Sequence, residues 1–191
     1  FVISKKDDLN EMAHNSEDYP LDKNKKILLY HVTGGSLYAD NTIAAIKIFI
    51  NSNPEYELVL CTDVSNNIQN DYIKYIEHAF ENKMKFIEYS PNRLTYFISK
   101  SNLVISHKLH VCIVASVLNR SVVSVPSHKK IPRFFSQIDE IDRCITAENS
   151  NASYILEKLE KYKEIPIAIN DEVTKKSSLN REVLKKFIQN Y

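Results

Sequence analysis

Short apolar runs alternate with longer stretches of helical periodicity from residue 26 onward. The run KILLYHV (26–32) reads as a strand, and GGSLYADNTIAAIKIFINS (34–52), with apolar Ile43, Ile46, Ile48 and Ile50, reads as a helix. A strand YELVLCT (56–62), a helix over 66–82 and a strand KFIEY (85–89) follow. Ser90 then stands as N-cap, with Pro91 at the first helical position of the next helix. NLVIS (102–106), KLHVCIVASVLN (108–119), SVVSV (121–125), IPRFFSQI (131–138) and RCIT (143–146) continue the alternation, and two amphipathic helices, ASYILEKLEKYK (152–163) and NREVLKKFIQN (180–190), close it. Alternation of this kind predicts an α/β fold: a Rossmann-like, doubly wound parallel sheet of about six strands with helices on both faces. Residues 1–25 are polar and acidic and read as a leader or interdomain linker, leaving 26–191 as the folded domain. The segment 108–119 is apolar on nearly every side, which predicts a fully buried helix with a second domain packed beyond it.

Composition adds one asymmetry. The chain of 191 residues is 43% hydrophobic and 26% charged, with a formal net charge of only +1. Residues 89–138, however, contain no Asp or Glu while carrying Arg93, Lys100, Lys108, Arg120, Lys129, Lys130 and Arg133. So local a concentration of positive charge predicts an anionic partner at one place on the surface. Cys61, Cys112 and Cys144 sit in apolar segments with no metal-binding spacing and read as buried, reduced thiols. No apolar run approaches the ~20 residues of a membrane span, and the opening FVISKKDDLNEM is unlike a signal peptide, so the expectation is a reducing, cytoplasmic setting. The first residue is Phe, as in a piece of a longer chain.

The cations fall where strands hand over to helices. Ser106, His107, Lys108 and His110 follow one strand; Ser127, His128, Lys129, Lys130 and Arg133 follow the next. Ligands of open parallel sheets sit beyond the carboxyl ends of the strands, against helix N-termini. Adjacent strand ends lie about 5 Å apart, so both clusters should face one rim and form a pocket for a small, multiply charged anion. The plainer alternatives are solvated lysines and a core histidine at 110. HVTGGSL (31–37) holds both glycines, so His31, Thr33, Gly34 and Gly35 form either a loop that approaches a phosphate or acceptor, or a tight turn. Asp63 would orient a sugar hydroxyl or cap the following helix. The chain lacks GxGxxG, GxxxxGK[ST], SxxK, GxSxG and HExxH, which counts against dinucleotide, P-loop, hydrolase and metalloenzyme chemistry. Its aromatic residues do not form a nucleic-acid-reading set.

The segment LVISHKLHVCIVASVLNRSVVSVPSHKKIPRFFSQI (103–138) resembles the C-terminal motif of the polysaccharide pyruvyl transferase family, in which a strand runs into a serine, a basic residue, Leu-His and a hydrophobic helix. The resemblance implies the C-terminal, donor-binding half of an enzyme of GT-B-like architecture, whose N-terminal domain is a partner in the same chain. It implies transfer of a pyruvate ketal from phosphoenolpyruvate, as donor substrate and without a further cofactor or metal, to a glycan or lipid-linked sugar at the inner face of the membrane. Donor contacts would fall on Lys108, Leu109 and His110. Lysine stands at 108 where the family commonly has arginine, exchanging a bidentate fork for a point charge. A histidine of ordinary pKa suits either proton transfer of ketal formation, so His110 is the expected acid or base. Ser106, Lys108, Leu109, His128, Lys129, Lys130 and Arg133 are the expected donor-binding residues. The alternatives are a GT-B glycosyltransferase using a sugar nucleotide and a non-catalytic domain that binds an anion or glycan.

Overall fold

A computed structural model describes residues 6–14, 21–32, 39–62, 67–81, 83–87, 89–125, 129–170, 172–176 and 179. In chain order the elements are α1 (Lys6–His14), β1 (Lys26–Val32), α2 (Ala39–Ser52), β2 (Tyr56–Thr62), α3 (Asn67–Ala79), β3 (Lys85–Ile87), α4 (Pro91–Lys100), β4 (Leu103–Ser106), α5 (Leu109–Val117), β5 (Ser121–Ser124), α6 (Lys130–Gln137) and α7 (Ala152–Tyr162), with one 3-10 turn at Ile141–Arg143. The five strands form one parallel sheet in the order β3-β2-β1-β4-β5. Chain direction across the sheet reverses between β1 and β4, and there the helices following the two strands leave on opposite faces.

Strand residues alternate between two cores, as pleating requires. Leu28, Tyr30 and Val32 of β1 pack with Ile46 and Phe49 of α2, Ile76 of α3 and Ile155 of α7. Ile27 and Leu29 face the other way, toward Phe97 of α4, Cys112 of α5 and Phe135 of α6. The anticipated start of α4 is present: Ser90 Oγ accepts from the Arg93 amide at 3.1 Å, and Pro91 occupies the first turn.

Several expectations need correction. The sheet has five strands rather than about six. Arg143 of the predicted RCIT strand belongs to the 3-10 turn, and only Ile145 N–H to Ser124 O, at 2.9 Å, and one Ser124–Cys144 bridge join the segment to β5. Arg143 is drawn inward instead. Its guanidinium lies 4.1 Å from the Tyr162 ring centre, donates to Glu140 Oε2 at 2.7 Å and to Ser121 Oγ at 3.2 Å, and is 1% exposed. Helix α2 buries Thr42, Ile43, Ile46 and Phe49, whereas Ile48 is exposed. Helix α5 is not enclosed on all sides, since His110 is exposed and Ile113 and Val114 are half-buried. Its flanks pack against α4 and α6 of the same chain. Residues 6–14, inside the segment read as leader, form α1, which packs on α4 and places Leu9 in the core. The predicted helix at 180–190 and Asp63 lie outside the described residues. The three cysteines are buried and unpaired; burial pushes the Cys61 thiol up to about 12 and raises Cys112 and Cys144 as well. No helix among the described residues is long and apolar enough to cross a membrane.

Candidate active site at the sheet switch point

The order of the strands reverses between β1 and β4, and the carboxyl ends of strands at such a reversal are the place where doubly wound sheets take ligands. His31 and Ser106 face each other there as register partners. They are 75 residues apart in sequence, yet Ser106 Oγ lies 3.3 Å from His31 Nδ1 and also accepts the Lys108 backbone N–H at 3.0 Å. Both side chains are fully buried. The bond from Lys108 folds the chain into a tight turn after β4 and aims the start of α5 along the rim.

His31 Nε2 is buried without a hydrogen-bond partner among the described residues. Burial, with smaller contributions from the Lys108 and His107 charges, lowers the His31 pKa from 6.5 to about 3. The ring is therefore neutral at physiological pH, since charging it at this buried point would cost desolvation energy. His107 turns inward, 3% exposed, with its ring 6.2 Å from that of Tyr30. Lys108 is half-buried, and burial lowers the pKa of its ammonium. An anion beside it would restore what the ammonium loses on leaving water.

Of the expected donor residues, Ser106 and Lys108 join His31 at the carboxyl ends of β1 and β4. Leu109 turns against the core and is a packing residue first. His110 is exposed on the first turn of α5. Next to it, β5 pairs with β4 so that Ser124 is level with Ser106, and the Val125 amide donates to Ser106 O at 3.1 Å. The second cluster therefore leaves the same edge of the sheet: Lys129, Lys130 and Arg133 are exposed at and around the start of α6. His128, Thr33, Gly34 and Gly35 lie outside the described residues. No group of three His, Cys, Asp or Glu side chains suited to a metal occurs among the described residues. Sequence reading named His31 and Ser106 separately but missed their pairing, for which no local pattern gives a signal. What the rim brings together is two helix starts and several cations, drawn from a stretch with no acidic residue between 89 and 138, a combination suited to a small anion.

The fold has many relatives of known structure. A UDP-GlcNAc 2-epimerase from Neisseria meningitidis bound to UDP-GlcNAc matches 97% of this chain and 53% of its own, at 17% identity and a TM-score of 0.67. The E. coli ADP-heptose lipopolysaccharide heptosyltransferase II matches 80% of this chain and 50% of its own, at 14% identity and a TM-score of 0.54. The C-terminal CMP-Kdo binding domain of WaaA from Acinetobacter baumannii matches 83% of this chain and 89% of its own, at 12% identity and a TM-score of 0.51. The chain thus spans about half the length of the epimerase and the heptosyltransferase, and the likeness establishes a GT-B-type, Rossmann-like fold. No curated protein sequence matches at a significant level. The family model for polysaccharide pyruvyl transferase matches residues 7–129, a span that runs from α1 through β5 and includes both His31 and the Ser106–His110 turn. This chain belongs to the polysaccharide pyruvyl transferase family.

Proposed function

We propose that this domain binds phosphoenolpyruvate at the switch-point rim and, together with an acceptor-binding domain, transfers its pyruvyl unit as a ketal to two hydroxyls of a glycan or lipid-linked sugar. The observation that carries this reading is the buried Ser106–His31 pair beside the Lys108 turn, flanked by the starts of α5 and α6, both within the stretch 89–138 that lacks Asp and Glu. Phosphoenolpyruvate carries a phosphate and a carboxylate a few ångströms apart, which calls for several cations and amide donors in one place. Lys108, Lys129, Lys130 and Arg133 supply the charge, and His128 is assigned to the same group.

The chemistry divides into two steps. One acceptor hydroxyl adds to C2 of the enol while a proton is delivered to C3, converting methylene to methyl. Loss of phosphate from C2 and attack by the second hydroxyl then close the ketal. Of the two hydroxyl protons, one replaces that given to C3 and the other leaves with phosphate. His110, exposed on the rim, is the proton carrier, since an imidazole can both donate and accept a proton. His31, neutral and buried, positions the turn through Ser106. Thr33, Gly34 and Gly35 are assigned to the acceptor or phosphate side of the rim.

His110→Ala should abolish transfer from phosphoenolpyruvate in the two-domain enzyme while leaving the unfolding temperature unchanged; full turnover by this variant would remove His110 from the mechanism. A second reading, a sugar-nucleotide glycosyltransferase, is favoured by the UDP-GlcNAc carried by the epimerase of like fold. Stabilisation of the domain by UDP-GlcNAc and not by phosphoenolpyruvate would select that reading.

A further inference from the structure

The opposite edge of the sheet carries a second cleft, of about 310 Å³, between the amino ends of β1, β4 and β5. At ~3.3 Å per residue along β4, it lies on the order of 15 Å from the switch-point rim. Its lining includes Lys26, Asn102, Asn119, Arg120, Lys163 and Glu164. The cations there differ in what they already do. Lys26 is paired with Glu164, and Lys163 with Glu160 at 2.9 Å and with Asn53 Oδ1 at 2.7 Å. Arg120 has no carboxylate partner among the described residues. It is half-buried, its Nε donates to Leu118 O at 3.1 Å, and its two terminal nitrogens make no hydrogen bond or ion pair among the described residues.

A guanidinium withdrawn from water without an acidic partner is costly, and the pKa of Arg120 is lowered by burial alone. The residues around it hold further idle donors. Asn102 is fixed in place because its Oδ1 accepts the Ile27 amide at 3.0 Å while its own N–H donates to Ile27 O at 3.0 Å. That leaves its Nδ2 without a partner among the described residues. Asn119 is held in the left-handed region at φ 55, and its side-chain amide is likewise unengaged among the described residues. The backbone of Arg120 is also fixed, since Ile167 N–H donates to its carbonyl at 3.2 Å and seats the segment carrying Pro166 as one wall.

We propose that this cleft is a binding site for a small phosphate monoester, distinct from the switch-point rim, with Arg120 gripping the phosphate through its terminal nitrogens and the Asn102 and Asn119 amides completing the cradle. The planar fork of Arg120 matches two oxygens of a tetrahedral dianion, and Lys26 and Lys163 at the mouth add field. The volume, at the lower end of the range for small-molecule sites, leaves room for a sugar-sized body beyond the phosphate. Glu164 offers that body an acceptor for hydroxyl groups. The inference does not depend on which donor the rim takes.

Asn102→Asp is the most informative variant: it keeps the Oδ1 that accepts the Ile27 amide but exchanges the free donor for a second anionic oxygen. Amide and guanidinium resonances of the chain are followed by NMR during titration with inorganic phosphate and with glucose 6-phosphate. Saturable shifts are expected at Asn102, Asn119 and Arg120, with tighter binding of the sugar phosphate. Affinity should fall at least tenfold in Asn102→Asp and in Arg120→Gln, and be unchanged in a Lys129→Ala, Lys130→Ala double variant. Asn102→Asp unfolding at the wild-type temperature confirms that the backbone clamp survives; a shifted temperature transfers the decision to Arg120→Gln. Shifts at these positions that persist undiminished in both cleft variants, or no saturable shift there in the wild type, would overturn the assignment.

Discussion

His31 makes the stability of this domain depend on pH in a calculable way. An unfolded histidine takes up a proton near pH 6.5, whereas the buried ring of His31 does so only at about 3. Below 6.5 the unfolded chain therefore binds a proton that the native state refuses, so stability falls as pH falls from 6.5 toward 3, at up to ~1.4 kcal/mol per pH unit. At about pH 5 the loss relative to about pH 7.5 is ~2 kcal/mol, and at about pH 6 it is ~0.8 kcal/mol. The pH 5 figure is set almost wholly by the unfolded value, because the native one lies well below it. His31→Asn removes the titration while keeping an amide near the position of Nδ1, opposite Ser106 Oγ. Urea unfolding of both proteins across this pH range measures the difference directly, since every other titrating group is shared and cancels. The wild type should lose ~2 kcal/mol more than the variant between the two extremes. Parallel loss of stability in the two proteins would refute the claim that His31 is held neutral by burial.

Further expectations follow from the same contacts. Ser106→Ala strips the Lys108 amide and His31 Nδ1 of a shared partner, at a cost of ~2–4 kcal/mol. In a domain of this size that lowers the unfolding temperature by about 5–15 °C, and Ser106→Thr, which retains Oγ, should recover most of it in a thermal melt. Asp142 accepts from Lys158 Nζ at 2.6 Å, Lys161 Nζ at 2.7 Å and Tyr162 Oη at 2.5 Å, and these three bonds hold its carboxyl well below the usual carboxylate range. Its contribution is therefore present above the unfolded value near 4 and disappears only as pH falls through the lower native one. Asp142→Asn leaves the buried Lys158 ammonium without a counter-charge and should cost ~1–3 kcal/mol by denaturant unfolding at neutral pH, the half-exposed carboxylate keeping the figure below that of a fully buried pair.

Much of this architecture was legible because local chemistry and tertiary position agree. The apolar runs that became β1, β2, β4 and β5 are bounded by helix starts, and Ser90-Pro91 marks the start of α4 as capping physics says it should. Elsewhere a tertiary contact outweighed the local pattern. RCIT looked like a strand, but Arg143 gains more from Glu140, Ser121 and the Tyr162 ring than from ladder hydrogen bonds. Helix α1 shows only Leu9 and Ala13 as a buried stripe within an acidic stretch, too little periodicity to read before α4 is placed beside it. The cationic character of 89–138 was visible in sequence, but its division was not. Lys108, Lys129, Lys130 and Arg133 emerge at the carboxyl ends of β4 and β5, while Arg120 emerges at the amino end of β5, and only the parallel register separates them. The Ser106–His31 contact was invisible for the same reason, since strands far apart in sequence meet only once the sheet order is known.

The central claim is that the rim formed by the ends of β1, β4 and β5 takes phosphoenolpyruvate. Titration of the isotope-labelled chain with phosphoenolpyruvate, followed by NMR, addresses it directly. Saturable shifts should centre on the amides of Lys108, Leu109, His110 and Lys130, and should be retained in Arg120→Gln. Shifts that bypass residues 106–110, or no saturable response anywhere, would contradict the account.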